Sequence, residues 1–202
     1  MKRICTSVVI LVLCCSAACA VPIYIYGDDF DLRIPAEPNT TKGWMLEAQI
    51  DVPEHITVKD VDVLIDITHT KVFDLQLFLE SPRGTQICLN MYNPFAEYFE
   101  GENYTGTIFD DEAALAIEKG QAPFTGRFRP RDFRLSAFDN EDGYGRWRLR
   151  VYDAFYADMG WLNRFQLMIT VPEQATVFLL AAGIICVRLF RRQRMGDSIE
   201  QR

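Results

Sequence analysis

Cysteine is nearly missing from the part of this chain that can build a folded core. Of six cysteines in 202 residues, Cys5, Cys14, Cys15 and Cys19 sit in an apolar leader and Cys186 in a second apolar run. Cys88 is left alone, which excludes an intrachain disulfide framework and any thiolate metal site. Histidine is equally scarce. His55 and His69 are the only two, with no H-x-x-x-H spacing, and His69 and Asp74 are the nearest pair with zinc-ligand chemistry. There is no G-x-S-x-G, and Ser81 and Ser136 lie in turn-like contexts, so a nucleophilic hydrolase lacks its usual parts. Internal repeats and low-complexity tracts are absent too. Basic residues are few outside the ends: residues 21–172 hold 14 Lys and Arg against 25 Asp and Glu, a net of −11 where the whole chain carries −7. That balance disfavours a nucleic-acid partner and suits divalent cations or basic surfaces.

What is present begins with two apolar ends. Residues 1–20 have the build of a secretory signal: Lys2 and Arg3, an apolar core from Val8 to Cys15, and Ala18-Cys19-Ala20 before Val21. Acylation at Cys19 is the alternative, although Ser16 stands where a lipoprotein signal prefers Leu. Near the other end, Gln174 to Val187 is uncharged, and with Arg188-Leu189-Phe190 it reaches about 17 residues, roughly 26 Å of helix. Arg191, Arg192 and Arg194 follow. The positive-inside rule then makes 191–202 a cytoplasmic tail and places 21–172 outside, at the cell surface. A buried core helix is the competing assignment. Val171-Pro172-Glu173-Gln174-Ala175-Thr176 before this segment resembles a PEP-CTERM sorting signal, with Gln174 in place of its second Pro. Residues 172–190 are thus expected to be a sorting motif and transmembrane helix.

Between the ends, period-two alternation dominates. Val61, Val63, Ile65 and Ile67 alternate with polar residues, as do Leu75, Leu77 and Leu79, then Trp147, Leu149 and Val151, and Phe165, Leu167, Ile169 and Val171. A weaker strand is expected from Leu46, Ala48, Ile50 and Val52. Ser81-Pro82-Arg83-Gly84-Thr85 has the composition of a hairpin turn returning through Gln86 to Leu89. Only Asp110 to Lys119 has helical composition, and Asn90 to Thr105 is expected to be a long loop. Residues 21–44 form an N-terminal segment without an assigned strand. The expectation is an all-β domain with one short helix.

Six ordered segments carry a resemblance. They are His69-Thr70 with Asp74-Leu75; Ser81-Pro82-Arg83-Gly84-Thr85; Phe109-Asp110-Asp111-Glu112-Ala113; Phe124-Thr125-Gly126-Arg127-Phe128-Arg129-Pro130; Gly145-Arg146-Trp147-Arg148-Leu149-Arg150-Val151-Tyr152-Asp153; and Gly160-Trp161-Leu162 with Phe165 and Leu167. Residues 45–171 resemble the P domain (P/Homo B domain) of proprotein convertases. The resemblance implies a jelly-roll β-sandwich that accompanies a subtilisin-like serine protease, with calcium bound in some members. The residues ahead of this region are too few for a protease domain, so the chain is expected to be a binding or structural module. The alternative is an accessory domain for a separately encoded subtilisin-like protease, acting in trans.

Calcium takes six to eight hard oxygens from several loops. Asp74, Asp110, Asp111 and Asp153 are the candidate ligands, expected to approach one pole of the sandwich, with Asp158 in a loop nearby. The alternative is that Asp111 and Glu112 cap or face out from the short helix. Asp139-Asn140-Glu141-Asp142-Gly143 fails as an EF-hand loop, since Phe138 falls at the first ligand position, and is expected to be an acidic turn. Two arginine sets, Arg127, Arg129, Arg131 and Arg134, and Arg146, Arg148 and Arg150, are expected either to pair with the surplus carboxylates or to form a strip facing extracellular matrix or polysaccharide. Asn39-Thr40-Thr41 and Asn103-Tyr104-Thr105 fit the glycosylation sequon.

Overall fold

The alternating runs become strands, and their apolar sets line one shared core. The computed structural model describes residues 22–91, 101–156 and 158–172. The expected signal at 1–20, and the sorting motif, membrane helix and tail from 173 onward, lie outside the described residues. Among the described residues no helix is long and apolar enough to cross a membrane.

Ten strands follow one another: β1 (Ile23–Ile34), β2 (Gly43–Trp44), β3 (Ala48–Val52), β4 (Asp60–His69), β5 (Leu75–Glu80), β6 (Gln86–Asn90), β7 (Tyr104–Phe109), β8 (Phe124–Phe128), β9 (Gly145–Asp153) and β10 (Gly160–Thr170). One sheet has the order β1-β10-β4-β7-β8, the other β2-β9-β5-β6, with β3 also paired to β9. All pairs are antiparallel except β7 with β8. Inward residues of both sheets join one cluster, including Val63, Ile65, Leu77, Leu79, Trp147, Leu149, Phe165 and Leu167. Each such aliphatic side chain contributes about 1.5–3 kcal/mol on burial. Trp147 is fully buried, lies edge-on to Phe138 at 5.0 Å and donates its Nε1–H to the Gly143 carbonyl at 3.0 Å. The Ser81–Thr85 turn closes as expected, with Ser81 N–H donating to Thr85 O and Gly84 N–H to Ser81 O. Gly84 holds φ +87°, a left-handed conformation that suits glycine.

Three expectations need correction. Asp110 to Lys119 forms no α-helix: a turn is followed by a 3-10 turn over Ile117–Lys119. Asp110 bends the chain there, accepting the Glu112 N–H at its side chain. Leu46 is 65% exposed; Met45 takes the inward place and donates its N–H to Val151 O. Finally, β1 is a twelve-residue strand in the segment left unassigned. Its alternation is hidden because Ile23 and Ile25 are exposed, while Tyr26, Phe30, Leu32 and Ile34 reach the core.

Candidate functional site

The four candidate aspartates do not gather at one pole; they divide into two pairs. Pairing of Leu75 with Asp153 sets Asp74, the last residue of a 3-10 turn, beside the end of β9. Asp153 is fully buried. Its Oδ2 accepts from His69 Nε2 at 3.2 Å and its Oδ1 accepts from Phe155 N–H at 3.1 Å. His69 Nδ1 accepts the Lys71 N–H at 3.1 Å, so the ring proton resides on Nε2. Both ring nitrogens are thereby occupied and the ring is buried, which makes His69 a structural tie with no free nitrogen to act as a base. The tie depends on Gly160. A Cβ there would run into the Thr68 carbonyl oxygen and come within 2.6 Å of His69 Cδ2.

Asp74 is 2% exposed, yet its Oδ2 has no hydrogen-bond partner; among the described residues the other such buried atom is Glu141 Oε2. Asp74 Oδ1 lies 3.9 Å from Lys71 Nζ. Burial pushes the Asp74 carboxyl up to about 6; Lys71 opposes this, while the charges of Asp158 and Asp153 add to it. Thr70 Oγ1 donates to Asp158 Oδ1 at 2.7 Å, which fixes that third carboxylate.

Asp110 and Asp111 lie at the other end of β4. Phe109 pairs with Val63, whereas His69 is the last residue of the same strand. The seven steps along the strand from Asp62 to His69 span roughly 23 Å. There Arg127 Nη1 donates to both Asp62 Oδ2 and Asp110 Oδ2 at 2.7 Å. Burial would raise the Asp110 carboxyl, but the bonds from Arg127 and the Glu112 N–H outweigh it and hold it below the usual range. Asp111 accepts the N–H groups of Leu135 and Ser136 at 3.0 Å each. It thus caps a 3-10 turn distant in sequence instead of its own segment.

This donor chemistry discriminates between the two ends. Around Asp110 and Asp111 the carboxylate oxygens face N–H groups and a guanidinium, which is the wrong environment for a cation. At Asp74 a buried Oδ2 stands unpartnered and open to a cation, whereas both oxygens of the neighbouring Asp153 already accept N–H groups. Among the described residues, no three His, Cys, Asp or Glu side chains are grouped as a ready metal cluster. Any ion at Asp74 would therefore take most of its shell from other oxygens.

Arg127, Arg131, Arg146, Arg148 and Arg150 follow the ion-pair expectation, whereas Arg129 and Arg134 turn to backbone carbonyls. Arg146 meets Asp51 at 2.8 Å, Arg148 meets Glu80 at 3.0 Å and Glu47 at 3.6 Å, and Arg150 reaches Glu47 while lying 4.6 Å over the Trp44 ring. Arg131 pairs with Asp132; Arg129 and Arg134 donate to the carbonyls of Ala113 and Asp111. Asp142 receives Arg83 and His55, as suits an acidic turn. Lys71 and Gly160, which shape the Asp74 end, carry no sequence signal beyond proximity to His69 and the segment opening at Gly160.

Fold and site together define an all-β, two-sheet module in which the His69–Asp153 pair is sealed in the core. The chain belongs to the proprotein convertase P-domain family, whose model matches residues 58–169. A P domain is an accessory domain without a catalytic site of its own. No curated protein matches this chain in sequence. Among solved structures, a serine protease of Aeromonas sobria is 18% identical over 75% of this chain and 27% of its own, with a TM-score of 0.45. The same protease in complex with its chaperone ORF2 gives 18% identity, the same coverage and a TM-score of 0.43. The infectious bursal disease virus Gt strain gives 13% identity over 74% of this chain and 32% of that one, with a TM-score of 0.32. The chain spans about a quarter of the length of the Aeromonas protease.

Proposed function

We propose that this protein is a non-catalytic P-domain binding module, exported, tethered by its C-terminal apolar segment and stiffened by calcium at Asp74, beside Asp153. The observation that carries this reading is the unpartnered, buried Asp74 Oδ2 beside the buried Asp153. A bound cation would supply positive charge where burial and neighbouring carboxylates now oppose ionisation. His69 does the positioning: it fixes Asp153 Oδ2 from β4, so the two sheets meet at the candidate site. Export and tethering are supported by the signal-like residues 1–20 and by the apolar run and arginines from 174 to 194. The two-sheet strand order supports the jelly-roll assignment.

The test is thermal unfolding in millimolar calcium against chelator. A ligand that binds only the folded state raises the melting temperature by mass action, here by several degrees. Asp74→Ala abolishes the shift and Asp110→Ala does not; an unchanged melting temperature in wild type overturns the calcium assignment. The mass of the mature protein checks both processing events. A second reading, support of a subtilisin-like protease in trans, is favoured by membership of the P-domain family. Co-expression with such a protease lacking its own P domain should then raise the yield of active enzyme.

A further inference from the structure

The sheet β1-β10-β4-β7-β8 slips register in every one of its strand pairs, and the slips fall in one row. They lie between Asp29 and Leu32 in β1, Leu162 and Arg164 in β10, Ile65 and Ile67 in β4, and Tyr104 and Thr107 in β7. Asp29 faces Arg164, and Arg164 faces Asp66 on its other side. Gly106, at φ +55°, donates its N–H to Asp66 Oδ1 at the centre of the row. A bulge bends its strand and re-aims the residues beside it. Aligned bulges therefore sink a trough across the sheet. It encloses about 390 Å³ and is lined by Asp29, Asp66, Thr68, Asn103, Asn163 and Arg164.

The chemistry of that trough narrows its ligand. Its walls carry carboxylates, carboxamides, a guanidinium and a hydroxyl; Tyr104, the one aromatic in the lining, is buried and its hydroxyl accepts from Asn90, while the exposed Trp161 pairs with Thr68. Lipids and apolar peptides find no surface here. β4 and β10 are paired on both edges, so an added strand has no backbone to join. One arginine against two carboxylates, in a domain of net −11, repels polyanions. Arg164 meets Asp29 at 3.1 Å and Asp66 at 3.8 Å, both through Nε, which leaves its Nη groups for a ligand. Asn163 Nδ2 is spent on Thr68 Oγ1 and Asn103 Oδ1 on the His69 N–H, so Asn163 Oδ1 and Asn103 Nδ2 complete an acceptor–donor set. Planar groups of this kind bridge adjacent hydroxyls.

We infer that this trough binds a hydroxyl-rich saccharide chain without acidic groups. The inference rests on the reading of the chain as an exported binding module and names the ligand class for it. The experiment is calorimetric titration of the full chain in detergent with chitotetraose, its de-N-acetylated form and an alginate tetramer. Saturable binding of chitotetraose or its amine form is expected, weakened at least tenfold by Arg164→Ala and by Asn163→Ala, with alginate at least tenfold weaker in wild type. Binding to neither, binding unchanged in both variants, or alginate bound equally well overturns the proposal. Asp29→Asn, a change at an exposed side chain, serves where another variant folds poorly, and it too should weaken binding. A calcium-induced melting shift read on the same samples separates the two ideas: its retention without saccharide binding refutes the trough alone.

Discussion

His69 in β4 and Asp153 in β9 belong to different sheets, and a single 3.2 Å hydrogen bond between fully buried side chains ties them. Removing the imidazole strands a buried carboxylate. His69→Ala is expected to lower unfolding free energy by about 3 kcal/mol. Asp153→Asn, which keeps an acceptor, should cost about half as much. Urea denaturation of both variants checks the order.

Asp74 makes stability depend on pH with an unusual sign for a carboxylate. Its folded pKa, about 6, exceeds the unfolded value of 3.8, so the folded state binds the extra proton. Its contribution is therefore fully present below about pH 4 and is lost as pH rises through 6, at most about 3 kcal/mol. In chelator, Asp74→Asn should stabilise the domain at pH 7.5 and leave it nearly unchanged at pH 4. The wild type minus variant difference isolates this group from carboxylates held low, such as Asp110, whose stabilisation is lost as pH falls. With calcium at pH 7.5 the order of the two proteins should reverse.

Arg127 holds Asp62 and Asp110 together with one Nη1 group. Arg127→Ala should destabilise by about 1 kcal/mol, since the guanidinium is half exposed and screened. Arg127→Lys should recover part of this, because an ammonium keeps the charge between the two carboxylates but sits on a shorter, differently shaped side chain. The loss should shrink at high salt, as measured by denaturant midpoints.

Gly160 is expected to tolerate no side chain. Gly160→Ala drives a methyl against the Thr68 carbonyl and the His69 ring, with backbone on one side and a buried ring on the other. A loss of about 3 kcal/mol or more follows from overpacking at a site that cannot relax. Gly126→Ala is a useful contrast: nothing lies within 4 Å of its Cβ position, so only its left-handed backbone at φ +96° opposes the change.

The apolar alternation of residues 61–67, 75–79 and 147–151 was legible without a structure, because burial of one sheet face imposes a period of two. β10 was legible only from Phe165 onward. The bulge at Asn163 switches the parity, so that Leu162 and Phe165 both face inward although three residues separate them. The six ordered segments likewise pointed to the P-domain family, and its model covers residues 58–169.

Local pattern thus determined the central alternating strands, the acidic balance and the ordered segments that mark the family. What the tertiary structure alone decided is which carboxylates meet. Asp110 and Asp111 stood together with Asp74 and Asp153 as calcium candidates, yet pairing of Phe109 with Val63 carries the first two to one end of β4 while His69 draws Asp153 to the other. The same holds for the aligned bulges that set Asp29, Asp66 and Arg164 in one row. Side-chain chemistry is written residue by residue, but strand register is set by hydrogen bonds between segments as far apart as residues 29 and 164, and no local pattern encodes it.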